Sequence, residues 1–512
     1  MTIGGQVFHC RTGRRVAKKD LTPGGASLRR VDVVAFEHHL ASPQGRGWLP
    51  RGGHDGAAGG AACGDLVRIS VAVDGDRVAD AGFDASGCGA AQAAGSAVVS
   101  LVRGRPLLEA ARVGVHEVAD ELGGLSPGKL HAAELAADAL HRALGAAAWT
   151  DGRAPRVAGR TLVAMSGGVD STVVALLTAE AGADVVAVTV ELWADAENDA
   201  ERSCCSASAV RDARALAHGL GLPHFTLDLR DRFRAGVVDP FLAAYTAGET
   251  PNPCVRCNGS VRLDDMLALA DRVGAATLAT GHYARVADDG EGPLLRAAAD
   301  PAKDQAYMLC AVAPSTLARL RFPLGGLCKP EVRARAAAAG LVVADKPDSQ
   351  DLCFLAGTDR DRFLARHGGP RARAGDVVDG EGRVLGRHRG AHAFTVGQRR
   401  GLGIGGEERP LYVLSTDAPS NRVVVGRRED LRRTHVGVRA ATLHRDGARV
   451  DRVKLRYRAA PLPGRLTVAA AAGRQKRLTI DLEEPVFGVA PGQVACLMDG
   501  DLVLGHGVIA AR

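Results

Sequence analysis

Apolar and polar positions alternate with period two over residues 66–73, break at Asp74-Gly75-Asp76 and resume over 78–83. That pattern predicts a β-hairpin, because alternate side chains of a strand share a face. Helical patterns follow from about Ala90 and from Pro127 to Leu144. Residues 31–147 therefore read as a small α+β unit, preceded by a loosely ordered stretch, 1–30, and followed by a linker with Gly and Pro, 148–157. Over 158–356 the pattern becomes a β–α alternation. Strand-like runs at 160–165, 184–192, 224–229 and 276–280 are separated by helical runs such as 207–220 and 261–273. Alternation at this spacing predicts a doubly wound parallel sheet, whose ligands bind at the carboxyl ends of the strands. After Gly357 short strands and glycine turns dominate, predicting a small β-rich unit over 357–430 and a β-barrel over 431–512. The fold class is α/β, and no internal repeat is visible.

At 512 residues and 46% hydrophobic content the chain is long enough for three or four cored domains. It contains no apolar run of about 18 residues and its first residues lack an apolar signal core, so no membrane partner and a cytoplasmic location are expected. Eleven cysteines in such a chain argue for thiol or metal chemistry over a disulfide framework. The net charge of +7 is uneven: residues 357–512 carry 28 Lys and Arg against 17 Asp and Glu. A basic C-terminal third suits a polyanion such as RNA, or is simply a solvated arginine-rich surface.

The strongest local signal is Ala164-Met165-Ser166-Gly167-Gly168-Val169-Asp170-Ser171. It sits between a strand-like run and an apolar helical pattern. Two glycines let the backbone turn and aim its N–H groups at an anion, and the helix N-terminus adds partial positive charge. The loop is not a Walker A sequence. It resembles the PP-loop of the N-type ATP pyrophosphatases, which implies ATP, with Mg2+, as the ligand. A second signal is Thr250-Pro251-Asn252-Pro253-Cys254-Val255-Arg256-Cys257-Asn258. Its prolines fix an extended loop that places a C-x-x-C pair just before a helical pattern. Catalytic thiol, metal ligand pair and redox pair all fit that spacing. The third is Asp348-Ser349-Gln350-Asp351-Leu352-Cys353-Phe354, where a cysteine lies in a polar loop. Cys310, Cys328 and Cys496 lie among aliphatic residues and read as core. Cys204 and Cys205 are given no role.

From about Arg160 to Arg512 the chain resembles the tRNA-specific 2-thiouridylases. The motifs, in order, are Ser-Gly-Gly-Val-Asp-Ser at 166–171, Thr-Pro-Asn-Pro at 250–253, Cys257-Asn258 and Thr280-Gly281-His282-Tyr283. They continue with Lys303-Asp304-Gln305, Asp348-Ser349 with Cys353-Phe354, Thr-Val-Gly-Gln-Arg-Arg-Gly-Leu-Gly at 395–403, Arg456-Tyr457-Arg458 and Pro491-Gly492-Gln493. The resemblance implies ATP on residues 164–171, with Val190 and Gly281 lining the adenine site. It implies adenylation of the wobble uridine at O2, a persulfide on Cys353, and release of sulfur by Cys257 with a Cys257–Cys353 disulfide left behind. Asn252, Pro253 and Cys254 would approach the target base. Lys303, Asp304, Gln305, His282, Arg456, Tyr457 and Gln493 would contact tRNA, in the family those for Lys, Glu and Gln. From its residue type alone His282 reads instead as a structural histidine. Cys254 stands where the family often has Asp, so Cys254, Cys257 and Cys353 could instead hold a [4Fe–4S] cluster with one open iron.

The N-terminal unit has its own resemblance, carried by Ala62-Cys63-Gly64-Asp65, Gly87-Cys88-Gly89 and Lys129-Leu130-His131. These look like the IscU/NifU iron–sulfur scaffolds, and imply Cys63, Asp65, Cys88 and His131 as ligands for zinc or a [2Fe–2S] cluster. Ala132 stands where the scaffold has its third cysteine, which puts full cluster assembly in doubt. The unit would then dock a cysteine desulfurase and raise the local concentration of a sulfur source. An iron–sulfur scaffold or delivery protein with a degenerate PP-loop half is the alternative reading of the whole chain.

Overall fold

The computed structural model describes residues 33–59, 64–195, 206–348, 352–404 and 409–511. Strand Leu66–Asp74 buries Val67, Ile69 and Val71 on one face and pairs antiparallel with Arg77–Ser86, as its alternation predicts. A third strand, His54–Gly59, pairs with it on the other side. Its sequence, His-Asp-Gly-Ala-Ala-Gly, carries no β-branched or large apolar residue and gives no strand signal.

Helix Leu130–Asp151 organises the N-terminal half. Thirteen of its 22 residues are buried, including Ala132, Ala133, Ala136, Ala139, Leu140, Ala143, Leu144, Ala147 and Ala148. A helix that is apolar nearly all round must be covered on more than one side. On one side lies Gly56, where a Cβ would come within 2.1 Å of the Ala139 carbonyl oxygen. On the other, a Cβ on Gly145 would meet the Thr226 carbonyl oxygen at 1.8 Å. Thr226 belongs to strand His224–Asp228 of the second unit. The helix is thus a wall shared by two domains. The predicted linker at 148–157 begins inside it, because the alanine-rich pattern runs on to Asp151. The connection beyond is bonded to both sides: Arg153 N–H donates to Gly75 O at 2.8 Å and Ala154 N–H to Arg272 O at 3.0 Å.

The second unit has a five-stranded, all-parallel sheet in the order Leu320–Arg321, Thr277–Ala279, Arg160–Ala164, Asp184–Glu191, His224–Asp228. Chain order reverses at Arg160–Ala164, so the loop that follows it opens at the topological switch point. The two-residue edge strand Leu320–Arg321 is too short to show a pattern. The third unit is a four-stranded sheet, Val384–His388, Gly375–Val378, Arg422–Gly426 and Tyr412–Asp417. In the last unit Arg432–Leu443 pairs with both Gly473–Phe487 and Leu502–Ile509, which closes the barrel. A hairpin of the second unit, Arg285–Asp288 and Pro293–Arg296, extends that barrel sheet. Among the described residues no helix is long and apolar enough to cross a membrane.

The shared helix meets the parallel sheet through polar groups. Asp138 accepts from Arg214 at 2.8 Å with both side chains buried, and Arg142 pairs with Glu191. His141 lies 5.1 Å from His218 and 5.6 Å from His224, ring centre to ring centre. Burial pushes the His218 imidazole down to about 4, despite its hydrogen bond to Ala111 O at 3.2 Å. Burial, and His141 beside it, also push His224 well down. The unfolded chain takes up a proton on His218 near pH 6.5, whereas the folded chain resists until about pH 4; the buried His224 resists protonation in the same direction. Their neutral burial therefore leaves stability intact above about pH 6.5 and erodes it as pH falls towards 4. Chemical denaturation at pH 8, 6.5 and 5 should show a midpoint that drops across this window, with a shallower drop in His218→Asn. Equal slopes in the two proteins would remove His218 from the account. Gly145→Ala should cost about 1–3 kcal/mol in the same assay, because its Cβ meets backbone that cannot rotate away.

Candidate active site

Strand Arg160–Ala164 delivers Ala164, Met165 and Ser166 to the carboxyl edge of the parallel sheet. Gly167 turns the chain at φ +71°, and Gly168 caps helix Val169–Glu180. The loop is closed by its own hydroxyls. Ser171 Oγ accepts from Ser166 N–H and donates to Gly168 O, both at 3.1 Å, and Thr172 Oγ1 donates to Gly168 O at 2.9 Å. Gly281, just past strand Thr277–Ala279, lies against the loop: a Cβ there would stand 3.2 Å from Ser171 N. Val190 is on the neighbouring strand, whose Val188 carbonyl accepts from Met165 N–H at 2.8 Å. All ten residues expected at the nucleotide site thus lie along one sheet edge. A glycine turn, a helix N-terminus and hydroxyls form an anion cradle.

The thiol segments meet that same edge. Asn252 caps helix Pro253–Ser260, its Oδ1 accepting from Cys254 N–H at 3.1 Å and Val255 N–H at 3.3 Å. Pro253 at the first helical position needs no donor. The cap starts the helix earlier than the sequence pattern suggests, so Cys254 and Cys257 lie within it rather than before it. Cys257 is buried and Cys254 partly so. Arg256 Nε donates to Gly236 O at 2.5 Å, tying this helix to the π-helical turn Arg234–Val238. Phe233, just before that turn, packs on Phe354 at 5.8 Å between ring centres. Phe241 and Phe363 each lie 5.1 Å from Phe354, and Trp193 lies 6.5 Å away. Trp193 and Phe233 follow the carboxyl ends of two parallel strands. Phe354 therefore pins its neighbour Cys353, which is partly exposed, at the sheet edge that carries the nucleotide loop.

The residues expected to meet tRNA surround these segments, and several also hold the domains together. Gln493 Nε2 donates to Thr250 O at 2.8 Å, and Thr250 N–H to Pro491 O at 2.9 Å. Lys454 donates to Asp304 at 3.0 Å and Lys303 to Asp348 at 2.8 Å. Gln305 Oε1 accepts from Tyr283 N–H at 2.9 Å. Burial raises the Tyr457 hydroxyl, with Asp304, Lys303 and Cys254 close enough to act on it. Arg456 donates to the Phe487 and Gly488 carbonyls. His282 Nε2 accepts from Arg262 at 3.0 Å, and its Nδ1–H donates to Thr280 Oγ1 at 2.8 Å. Burial, with Arg262 adding, pushes it down to about 3. Cys310 and Cys496 are buried as expected, but Cys328 is not: it is exposed at the cap of helix Lys329–Ala338. The sequence reading missed Lys329, Tyr283 and the central role of Asp348, whose partners are distant in the chain.

In the N-terminal unit Asp65, Cys88 and His131 offer donor atoms within 4.8 Å of one another. Cys63 lies outside the described residues. Among those described, this is the one such group of three. Asp65 accepts from Cys88 N–H at 2.8 Å and from its thiol at 3.1 Å, which lowers its carboxyl. Gly87, at φ +125°, is required here: a Cβ would stand 2.0 Å from Asp65 Oδ1. His131 Nδ1–H donates to Gly128 O at 3.0 Å, which turns the Nε2 lone pair towards Asp65 Oδ2 at 3.4 Å. A carboxylate, a thiol and an imidazole nitrogen converging this closely are a donor set that suits a bound cation. Ala132, in the place of the scaffold's third cysteine, is fully buried.

The NifU-like N-terminal domain family matches residues 33–149. The tRNA methyl transferase HUP domain matches 159–357, its PRC-barrel domain 361–427, and the aminomethyltransferase β-barrel domain 440–509. A bifunctional protein NifU/MnmA from Rubrobacter xylanophilus is 46% identical over 490 residues, covering 93% of this chain and 97% of that protein. The tRNA-specific 2-thiouridylase MnmA of Rhodospirillum rubrum is 45% identical over 370 residues, or 70% of this chain and 97% of its own. That of Zymomonas mobilis is 44% identical over 357 residues, or 69% and 94%. With a scaffold-like module and a PP-loop thiolase in one continuous chain, this protein belongs to the bifunctional NifU/MnmA family.

Proposed function

We propose that the chain catalyses ATP-dependent 2-thiolation of the wobble uridine of tRNA, in the tRNAs for Lys, Glu and Gln, with its N-terminal module serving sulfur supply. The observation that supports this best is the attachment of both thiol segments to one aromatic block at the edge that carries the nucleotide loop. ATP lies on residues 164–171, between Val190 and Gly281, and the uridine O2 attacks its α-phosphorus. Pyrophosphate leaves and a good leaving group is now on C2. Cys353 carries a persulfide received from a cysteine desulfurase. Its outer sulfur attacks C2 and AMP departs with the former O2. The Cys257 thiolate then attacks the inner sulfur, releasing the outer sulfur on the base. The transferred sulfur gains two electrons, and the two cysteines lose two as they form a disulfide, which a cellular thiol reductant reopens. Cys254, beside the capping Asn252 and near Tyr457, lies on the tRNA side of this pair.

In the N-terminal module Asp65, Cys88 and His131, with Cys63, would hold zinc. A bound metal there keeps the ligating thiol deprotonated. With Ala132 in place of a third thiol, the module serves as a docking surface for the desulfurase.

The test is thiolation of unmodified tRNA by anaerobically purified protein with ATP, cysteine and a cysteine desulfurase. Cys257→Ala and Cys353→Ala should each lose thiolation by a factor of about a thousand or more while still binding ATP. Thiolation retained in Cys353→Ala would remove the persulfide assignment. Stoichiometric iron lost with Cys254, Cys257 or Cys353 would replace it with cluster chemistry. Zinc affinity of the whole chain should fall about 10–100-fold in Asp65→Asn and Gly87→Ala, read by competition with a chromophoric chelator. Unchanged affinity in both would sink the N-terminal site.

A further inference from the structure

An anion-binding loop with a carboxylate in it poses an electrostatic problem. Asp170 sits in the first turn of helix Val169–Glu180, where ATP phosphates would lie. Two groups from distant parts of the chain answer it. Lys329 Nζ donates to both Asp170 oxygens at 2.7 Å, and Tyr283 Oη donates to Oδ1 at 2.8 Å. Lys329 is buried, at 8% exposure, and also lies over the Tyr283 ring.

The same ammonium reaches Asp348 Oδ1 at 2.8 Å. Asp348 also accepts from Lys303 at 2.8 Å and Arg333 at 3.0 Å. Burial works against the Asp348 charge, but hydrogen bonds from Lys303 and Lys329 outweigh it and hold its carboxyl at about 2. Arg333 further donates to the carbonyls of Ala344 and Lys346, at 2.6 and 3.1 Å. Lys346 Nζ in turn donates to the Gly167 carbonyl at 3.1 Å. The segment that ends at Asp348, five positions before Cys353, is thus strapped to the nucleotide loop by Lys329 and Lys346, with Arg333 bracing the segment from helix Lys329–Ala338.

We infer that Lys329 is a positioning residue for the reaction: it neutralises Asp170 so that the loop can accept the ATP phosphates, and by holding Asp348 it keeps the Cys353 segment in register with the nucleotide. This rests on the thiolase reading above. Asp170 and Asp348 share one cation and lie at opposite ends of the step that joins adenylation to sulfur transfer. Removing that cation leaves the Asp170 carboxylate facing a polyanion with only the Tyr283 hydroxyl on it, while Asp348 keeps Lys303 and Arg333; removing Asp348 leaves the nucleotide loop neutralised and loosens only the thiol segment.

The two roles separate by variant. Each uses the full chain, with ATP binding measured by calorimetry and Cys353 alkylation by iodoacetamide followed by mass spectrometry. Lys329→Met should weaken ATP binding about ten- to a hundredfold, and Lys329→Arg should restore most of it. Asp348→Asn should keep ATP affinity within about threefold of wild type while lowering thiolation turnover about tenfold or more and changing the Cys353 alkylation rate. ATP affinity unchanged in Lys329→Met, or lost equally in Lys329→Arg, would overturn the role at Asp170. Asp348→Asn with normal turnover and alkylation would overturn the link to Cys353. A wild-type protein that binds ATP but thiolates no tRNA would sink the functional reading and leave the Lys329 binding comparison standing.

Discussion

At two places along helix Leu130–Asp151 there is no room for a side chain larger than hydrogen, and the assembly of the N-terminal half depends on that close approach. Gly56 lets one sheet come down on the helix, and Gly145 lets the helix come down on the other sheet. The alanines between them bring the three layers into one continuous core. The consequence is functional. His131, which completes the Asp65–Cys88–His131 group, is the second residue of this helix, and Gly145 lies fourteen residues on. At about 1.5 Å per residue the Asp65–Cys88–His131 group stands roughly 20 Å from the seam with the catalytic sheet, along a rigid rod. A flexible tether would raise the local concentration of a docked sulfur source over a wide volume. A fused helix fixes its direction instead, so under the proposed function a sulfur source docked on this module would deliver from one orientation.

What the sequence made legible is what chemistry places close together along the chain. The nucleotide loop is eight consecutive residues, and the strand, turn and helix around it follow from the local pattern. The hairpin 66–83 and the four longer parallel strands were visible for the same reason. The site residues that emerged only in three dimensions are bonded over long separations: Lys329 to Asp170 across 159 positions, Gln493 to Thr250 across 243. Nothing near Lys329 in sequence distinguishes it from a surface lysine capping a helix. Cys328 misled in the opposite direction, since its aliphatic neighbours pack inward while the cap position itself faces solvent. Strand His54–Gly59 went unseen because its residues were selected for smallness against the helix, not for β propensity.

Asn252 and His282 show how a motif residue serves more than one purpose. Asn252 starts the helix that carries both Cys254 and Cys257, so its amide sets the direction of that helix whatever it meets beyond it. His282 spends both ring nitrogens on Thr280 and Arg262, and its depressed basicity makes it a neutral spacer beside the nucleotide loop. A side chain whose polar atoms are already engaged can still touch RNA with its ring edge, but it brings no charge.

That distinction bears on the basic C-terminal third, where counting residues overstates the field available to RNA. Arg439 pairs with Glu249, Arg445 and Arg449 with Asp289, and Lys454 with Asp304. Each pair sets a barrel cation against a carboxylate of the catalytic domain. The positive excess at one end of the chain and the deficit before it are therefore partly one structure, a set of fasteners across the domain seam. Arg445 is buried, and Asp289 accepts from it and from Arg449, so losing Asp289 would leave the Arg445 charge uncompensated away from water. These fasteners hold Pro491-Gly492-Gln493 against Thr250, and Gly492 has no room for a Cβ beside Glu249. The barrel is thereby seated on the loop that presents Cys254. Under the proposed function, an RNA held by the barrel's remaining arginines would reach the thiols across a joint that electrostatics within the protein has already set.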